Sequence, residues 1–507
     1  MGNDFGVLST VQRLRNQLSW RVRWCFPNLV SRFTSDRESY SLLDRAENAE
    51  TLPDQDEEAR VEVFWAAEFY GPSEVDALCE SLDKLQWSAG LGFPRRESAA
   101  DWVRRQREYG SGNAWYNIGV VADSKESREF VLTHNKMDLP KEVRFLKVDI
   151  HQFTPAITCV VVAFVLNESL KDVYFCGLKK EYKGRFFRGG RVISRRGPRD
   201  LKREAVEGAR SEFKEMAKVW FGKTMPGYFC GVSADAMPTA ELVVTKLEPL
   251  FLGRGAPFES WQDLVFNVRP TEVWSKPSKG GLKFTLGKSG IRREGVHLIS
   301  SICEAETESQ DYKHYGEGGR KYVSYAVEVF SDVLANYSVL GYLTENLKAL
   351  KLSRSSLRLS RISKVKQLRV LEDIQKFFDQ SLGAPVIASE LKRRASHSSN
   401  FFYRYGDYSA PSRGPKKDLR SLRRFFVQAT DHYSDTILVE EHSIREHFDQ
   451  VANIISIRES VEAQKKTQVL TVLALFVAVL SMGITALQSR SWVEELKLLL
   501  TSIVPFI

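Results

Sequence analysis

From Lys416 to Met482 the chain runs for 67 residues without a proline or a glycine. Such a run is predicted as one helix, about 100 Å long at ~1.5 Å rise per residue. No globular core of this size needs that length. Leu422, Phe426, Ala429, Tyr433 and Ile437 mark one apolar stripe along it. Ile444, Phe448, Val451 and Ile455 resume the stripe past the charged step Glu440-Glu441. The stripe is expected to face other helices, in this chain or in sister copies, so that a homo-oligomer forms through the long helix. A break near Glu440 is the alternative.

The end of the run sets a second constraint. No charge occurs between Lys466 and Arg490. Val469–Leu487 is nineteen residues, eleven of them Leu, Ile, Val or Phe. As a helix it measures ~28 Å, which matches a hydrocarbon core of ~30 Å. Thr471, Ser481, Gly483 and Thr485 are offset by the aliphatic residues at about −0.3 to −0.6 kcal/mol each. Arg458, Lys465 and Lys466 precede the stretch and Arg490 and Lys497 follow it. That bias predicts a single pass near the C-terminus, with the large N-terminal region cytosolic and membrane lipid as a partner. The tail 490–507 is apolar from Leu498 and too short to cross, so an interfacial position with Trp492 as anchor is expected.

Upstream, the pattern is mixed. Residues 1–35 read as a basic amphipathic segment; a membrane-surface helix, a transit peptide and a helix packed on the body all fit. Residues 36–60 are acidic and polar, contain Pro53 and read as a linker. An α+β domain is expected over 61–305, with strands at 61–70, 114–121, 142–152, 156–166, 242–247, 282–286 and 296–302. Its helices are placed at 72–87, with Ser73 as cap, at 100–109 and at 200–221. The run AITCVVVAFVL is apolar on both faces and belongs inside a sheet. A helical region (321–382), a breaker-rich basic linker (383–415), a stalk helix (416–466), a transmembrane helix (467–489) and the tail complete the order. The expected fold is therefore an α+β cytosolic domain followed by a helical region and a long helix continuing into a C-terminal transmembrane span.

The net charge is +9, and residues 178–203 alone carry it, with eleven basic residues against Glu181 and Asp200. Residues 348–369 add eight basic residues and no acid, whereas 44–62 hold eight acids against Arg45 and Arg60. Clusters of one sign predict an anionic partner: phospholipid head groups, nucleic acid or another anionic ligand. The candidate anion-binding residues are Arg185, Arg188, Arg191, Arg195 and Arg196, and Lys348, Lys351, Arg354, Arg358 and Arg361. A solvated face or a flexible, Gly-punctuated loop is the plainer alternative for either cluster. Tyr182, Phe186 and Phe187 interleave the first cluster, and Phe401, Phe402, Tyr403 and Tyr405 surround Arg404, where aromatic rings could stack bases.

No stretch names a reaction or a cofactor. Gly287-Lys288-Ser289 ends like a phosphate loop, but Leu282 stands where its first glycine belongs. Gly231-Val232-Ser233-Ala234-Asp235 misses a nucleophile elbow at its last residue. Asp149 and His151 share a strand face and read as a hydrogen-bonded structural pair. His442 and His447 are five apart, outside helical metal-pair spacing. Six cysteines without a C-x-x-C pair fit reduced thiols.

A cytosolic α+β domain, then helices, then a very long helix running into a membrane span resembles the CorA-type metal-ion channel superfamily. The resemblance lies in the order of elements over about 61–507. It implies a funnel of several subunits packed through their long helices, and a pore or membrane effector as the function. The family's Gly-Met-Asn filter has no counterpart, because Leu487-Gln488-Ser489-Arg490 stands in its place. The competing expectation is a membrane-tethered enzyme or nucleic-acid-binding protein that uses 178–203 as its working surface.

Overall fold

The computed structural model describes Cys25 and residues 36–89, 97–125, 135–189, 192–232, 236–251, 260–266, 272–276, 281–286, 297–306, 320–359, 383–397, 405–411, 419–488 and 490–503. The chain forms two compact units, Met1–Ala349 with Gly383–Leu438, and Leu350–Leu382 with Val439–Ile507.

The first unit is built on an eight-stranded mixed sheet in the order β3-β2-β4-β5-β1-β8-β10-β9. Its strands are β1 (Ala59–Tyr70), β2 (Ala114–Asp123), β3 (Lys136–Met137), β4 (Val143–Thr154) and β5 (Ile157–Leu166). A hairpin outside this sheet, β6 (Arg185–Gly189) and β7 (Val192–Arg196), comes next in the chain. β8 (Thr239–Thr245), β9 (Lys283–Thr285) and β10 (His297–Cys303) complete the sheet. Most pairs are antiparallel; β8 with β10 and β2 with β3 are parallel. Every residue of β5 is buried, because an apolar run on both faces needs cover on both.

Helices supply that cover. α1 (Asp36–Glu50), α2 (Val75–Leu85), α3 (Ala99–Tyr109), α4 (Glu168–Lys171), α5 (Val173–Lys179) and α6 (Pro198–Thr224) come first. α7 (Tyr228–Val232), α8 (Gln262–Val265), α9 (Arg320–Leu359) and α10 (Gly383–His397) follow. α6 packs on one face of the sheet, where Phe213 meets Phe64 and Trp220 meets Phe164 at ring distances of 5.7 and 5.6 Å. α9 packs on the other face, where Phe330 meets Trp65 at 5.2 Å and Tyr342 stacks on Phe69 at 4.5 Å. Val333, Leu334, Ala335, Tyr337, Val339, Leu340, Tyr342 and Leu343 are all buried. A helix with apolar residues all round is an interior helix, and α9 therefore belongs to the core.

Several expectations need correction. The acidic stretch 36–60 is not a linker: it holds α1 and the first residues of β1. The basic stretch 178–203 is not a floppy loop: it contains the end of α5, the β6–β7 hairpin and the first turns of α6. Ser73 does not cap α2; Glu74 precedes that helix and its carboxylate accepts the Gly71 N–H at 2.9 Å. The stretch 383–415 begins with a helix, since Pro385 lies in the first turn of α10, where no intrahelical N–H is needed. The sheet-bearing unit extends past residue 305 to take in most of α9 and residues 383–438.

β11 (Ser409–Pro411) and β12 (Leu419–Ser421) form a short ladder just before α11 (Leu422–Gln488), which is one helix of 67 residues. Its buried positions are Leu422, Phe426, Thr430, Ser434, Ile437, Glu441, Ile444 and Phe448. Ala429 and Tyr433 lie at the margin of this face, and Thr430 and Ser434 occupy it in their place. No break occurs at Glu440; the buried Glu441 pairs with Arg445 one turn on. The stripe is thus covered within the single chain as far as Phe448. The side chains of Val451 and Ile455 lie outside the described residues. Beyond them, Ser456–Ala486 is long and apolar enough to cross a membrane, and its apolar window is wholly exposed. α12 (Arg490–Ile503) follows.

Candidate functional site

The basic hairpin carries the highest density of candidate residues. β6 and β7 pair with Arg185 opposite Arg196, Phe186 opposite Arg195 and Arg188 opposite Ile193. Like charges placed opposite one another destabilise a ladder unless each finds a counter-charge. Arg196 finds Glu204 of α6 and lies over the Phe187 ring at 4.5 Å. Arg185 is exposed to solvent. The side chain of Arg188 and the whole of Arg191 lie outside the described residues.

Arg195 is turned the other way, onto α1. Its guanidinium pairs with Asp44 and with Glu47 at 3.4 Å, and it lies over the Tyr40 ring. The Asp44 carboxylate also accepts the Gly184 N–H through both oxygens at 3.1 Å. Glu47 reaches the first turn of α6, where it accepts the Arg199 N–H at 3.4 Å. A carboxylate there complements the positive end of the helix. Asn48 donates to the Tyr182 carbonyl at 2.8 Å and accepts the Tyr182 N–H at 3.2 Å. Glu50 pairs with Arg199 at 3.4 Å. Lys202 holds the C-terminal end of α1, donating to the Thr51 hydroxyl at 3.0 Å and to the Asn48 and Thr51 carbonyls at 3.4 Å. Burial lowers its ammonium to about 8. A Cβ at Gly197 would fall on the Glu47 carboxylate, so this close approach requires glycine. Asp44, Glu47 and Glu50 of the acidic run and Arg195 and Arg199 of the basic run therefore meet in one contact.

The second basic stretch is elsewhere. Lys348 and Lys351 are exposed on α9, and Lys348 pairs with Glu345 at 3.1 Å. Arg354 and Arg358 are helical, but their side chains lie outside the described residues, as does all of Arg361. The Gly287–Ser289 and Ser233–Asp235 motifs, Phe401–Arg404 and residues 1–35 apart from Cys25 also lie outside them.

The arrangement nearest to a catalytic constellation is one that the sequence did not suggest. Glu241 on β8 is fully buried and receives Arg210 of α6 through both oxygens, at 2.6 and 3.1 Å. Tyr174 of α5 donates to Glu241 at 2.6 Å, and His297 Nε2 lies 3.1 Å from the same oxygen. Thr239 Oγ1 is 2.8 Å from His297 Nδ1. Burial lowers His297 to about 4, and Arg210 with His297 holds Glu241 well below the usual carboxylate range despite its burial. The Glu241 carboxylate, the Arg210 guanidinium and the Tyr174 hydroxyl are all occupied, whereas His297 Nε2, though close to Glu241, makes no aligned hydrogen bond. The cluster is buried, so it is a structural knot between the sheet and its covering helices. Asp149 and His151 are both buried on β4, and His151 Nδ1 lies 3.9 Å from Asp332 of α9. His442 is exposed and pairs with Glu446. Among the described residues no three His, Cys, Asp or Glu side chains gather as a metal site. The six cysteines are unpaired thiols.

No known family profile, no curated protein and no solved structure matches this chain.

Proposed function

We propose that this chain is a membrane-anchored, non-enzymatic protein whose α+β domain lies in the cytosol and responds to an anionic ligand or lipid at the basic hairpin. The response acts on the membrane span. In this reading copies self-associate through the long helix and work as a pore or membrane effector on a scaffold ordered like that of the CorA-type channels. One observation carries it: α11 is a single helix that begins at Leu422, with Leu422 and Phe426 buried, and ends in a fully exposed apolar window. Exposed Val469, Leu470, Val472, Leu473, Leu475 and Phe476 find no cover among the described residues, and lipid is the solvent that suits them.

Deleting 467–507 tests the anchor. The truncated chain is expected in the soluble fraction after cell lysis, and the full chain in the membrane pellet after a high-salt wash. A truncated chain that stays in the washed pellet would show that the window is not the principal anchor.

A further inference from the structure

The contact between α1 and the hairpin has the composition of a bound anionic ligand. Two carboxylates sit against a backbone N–H of the hairpin, the Arg195 guanidinium and the N-terminal turn of α6. The groups that hold them are those that would hold the phosphate or carboxylate of a lipid headgroup. α1 has little else to hold it. Its own Leu42 and Leu43 are 64% and 45% exposed, so among the described residues the helix is fastened by polar contacts and by Tyr40, which meets Phe186 and Arg195. Lifting it away uncovers little apolar surface but leaves Arg195, whose side chain is 14% exposed, without its counter-charge, so that another anion must take the place of Asp44 and Glu47.

We propose that α1 is an intramolecular occupant of an anion-binding surface formed by β6, β7 and the first turn of α6, and that an anionic membrane displaces it. The inference rests on the membrane reading above and adds the regulation of the same surface. Lipid is favoured over nucleic acid by two features. Phe187 stays 37% exposed beside Arg196, an aromatic and a cation side by side as at a lipid interface. The same chain also carries a helix fit to cross a bilayer. A short tether keeps α1 at high local concentration, so neutral surroundings leave the surface closed and a surface dense in headgroups opens it.

Two glycines allow a test that changes no charge. A Cβ at Gly184 would lie 2.8 Å from Arg195 Nε and 2.9 Å from Asp44 Oδ1, so that it presses on both members of that pair, and one at Gly197 would fall on Glu47. Gly197 has φ −79° and ψ 175°, which alanine adopts without strain. The full chain is placed in phosphatidylcholine nanodiscs, and amide exchange of residues 36–50 is followed as phosphatidylserine vesicles are added. Exchange is expected to quicken about tenfold and to return to its starting rate in ~0.5 M salt, as screening dictates. The Gly184→Ala, Gly197→Ala chain is expected to exchange α1 faster without lipid and to bind the vesicles about three- to tenfold more tightly. Vesicle binding with α1 still protected overturns the inference, as does unchanged affinity in the double variant. Displacement of α1 by RNA but not by vesicles also overturns it, by assigning another class of partner. A chain that nanodiscs do not retain fails the membrane reading, and this inference falls with it; a retained chain with unresponsive α1 fails this inference alone.

Discussion

Arg210 and Glu241 show how much depends on single pairs in this core. Both are buried, and apart from Glu207, one turn before Arg210, their partners come from positions 31 to 67 residues away in the chain. That separation hid the knot from local pattern reading, which found only the Asp149–His151 pair on its own strand. Removing one member of a buried pair leaves an uncompensated charge, a loss of about 3–5 kcal/mol. Arg210→Met is therefore expected to lower the denaturation midpoint severely. Combining it with Glu241→Leu and Tyr174→Phe removes the charge and the hydroxyl that donated to it, and most of the stability should return. A triple variant no more stable than the single one in urea titrations would refute the pairing argument. Glu68 is the opposite case, a carboxyl that burial pushes up to about 7 although the N–H groups of Phe69, Phe229 and Cys230 donate to it. Its folded form keeps a proton that the unfolded chain releases above ~4.5, so its contribution is full below that pH and is lost as pH rises through about 7. Cys230, Cys159 and Tyr70 also bear on this site. The melting temperature of Glu68→Gln is expected to gain on the parent steadily from pH 5 to pH 8. A difference that stays flat across that range would exclude this linkage.

At the scale of elements, what was legible in the sequence is what depends on near neighbours. β1 and β5 announce themselves through apolar runs of five and eight residues, β4 through the alternation of Leu146, Val148 and Ile150, and α6 through its periodic face. What was illegible depends on partners far along the chain. α1 read as a solvated acidic linker and the hairpin as a solvated basic loop because each was judged alone; Asn48 and Tyr182 meet across 134 residues. α11 shows a subtler failure. Periodicity placed Ala429 and Tyr433 in the stripe because they are the more apolar residues, yet the buried face runs through Thr430 and Ser434. Small side chains let neighbouring elements approach closely, and this closeness offsets a Ser434 hydroxyl that is buried without a hydrogen-bond partner among the described residues. Close packing chose the face there, and hydrophobicity alone did not reveal it. Of the ten candidate anion-binding residues, Arg195, Arg196 and Lys348 have charged partners within the chain, and the partners of Arg195 lie about 150 residues away, where local charge counting had no means to register them.

At the scale of the whole molecule, the question is what surface remains for a second copy. Burial of Ile437, Ile444 and Phe448 within the chain removes them from that role. The exposed residues that continue at helical spacing before the uncharged stretch are Ile454, Ile457 and Val461, which are 57%, 63% and 43% exposed. Three such side chains, if fully buried between copies, would contribute on the order of 5–9 kcal/mol per copy. Ordering two copies costs about 4–15 kcal/mol, so this patch together with contacts inside the bilayer is near the threshold where its loss decides the outcome. Ile454→Asp, Ile457→Asp and Val461→Asp combined are expected to convert a defined oligomer in mild detergent into monomers, read by light scattering, with the thermal melt of the sheet-bearing unit unchanged. Ile444→Asp with Phe448→Asp should behave differently and destabilise the chain itself, because those side chains are already covered in a single copy. A parent protein that is monomeric in mild detergent, or a triple variant that keeps its oligomer, would remove the long helix as the assembly surface and with it the likeness to a multi-subunit funnel.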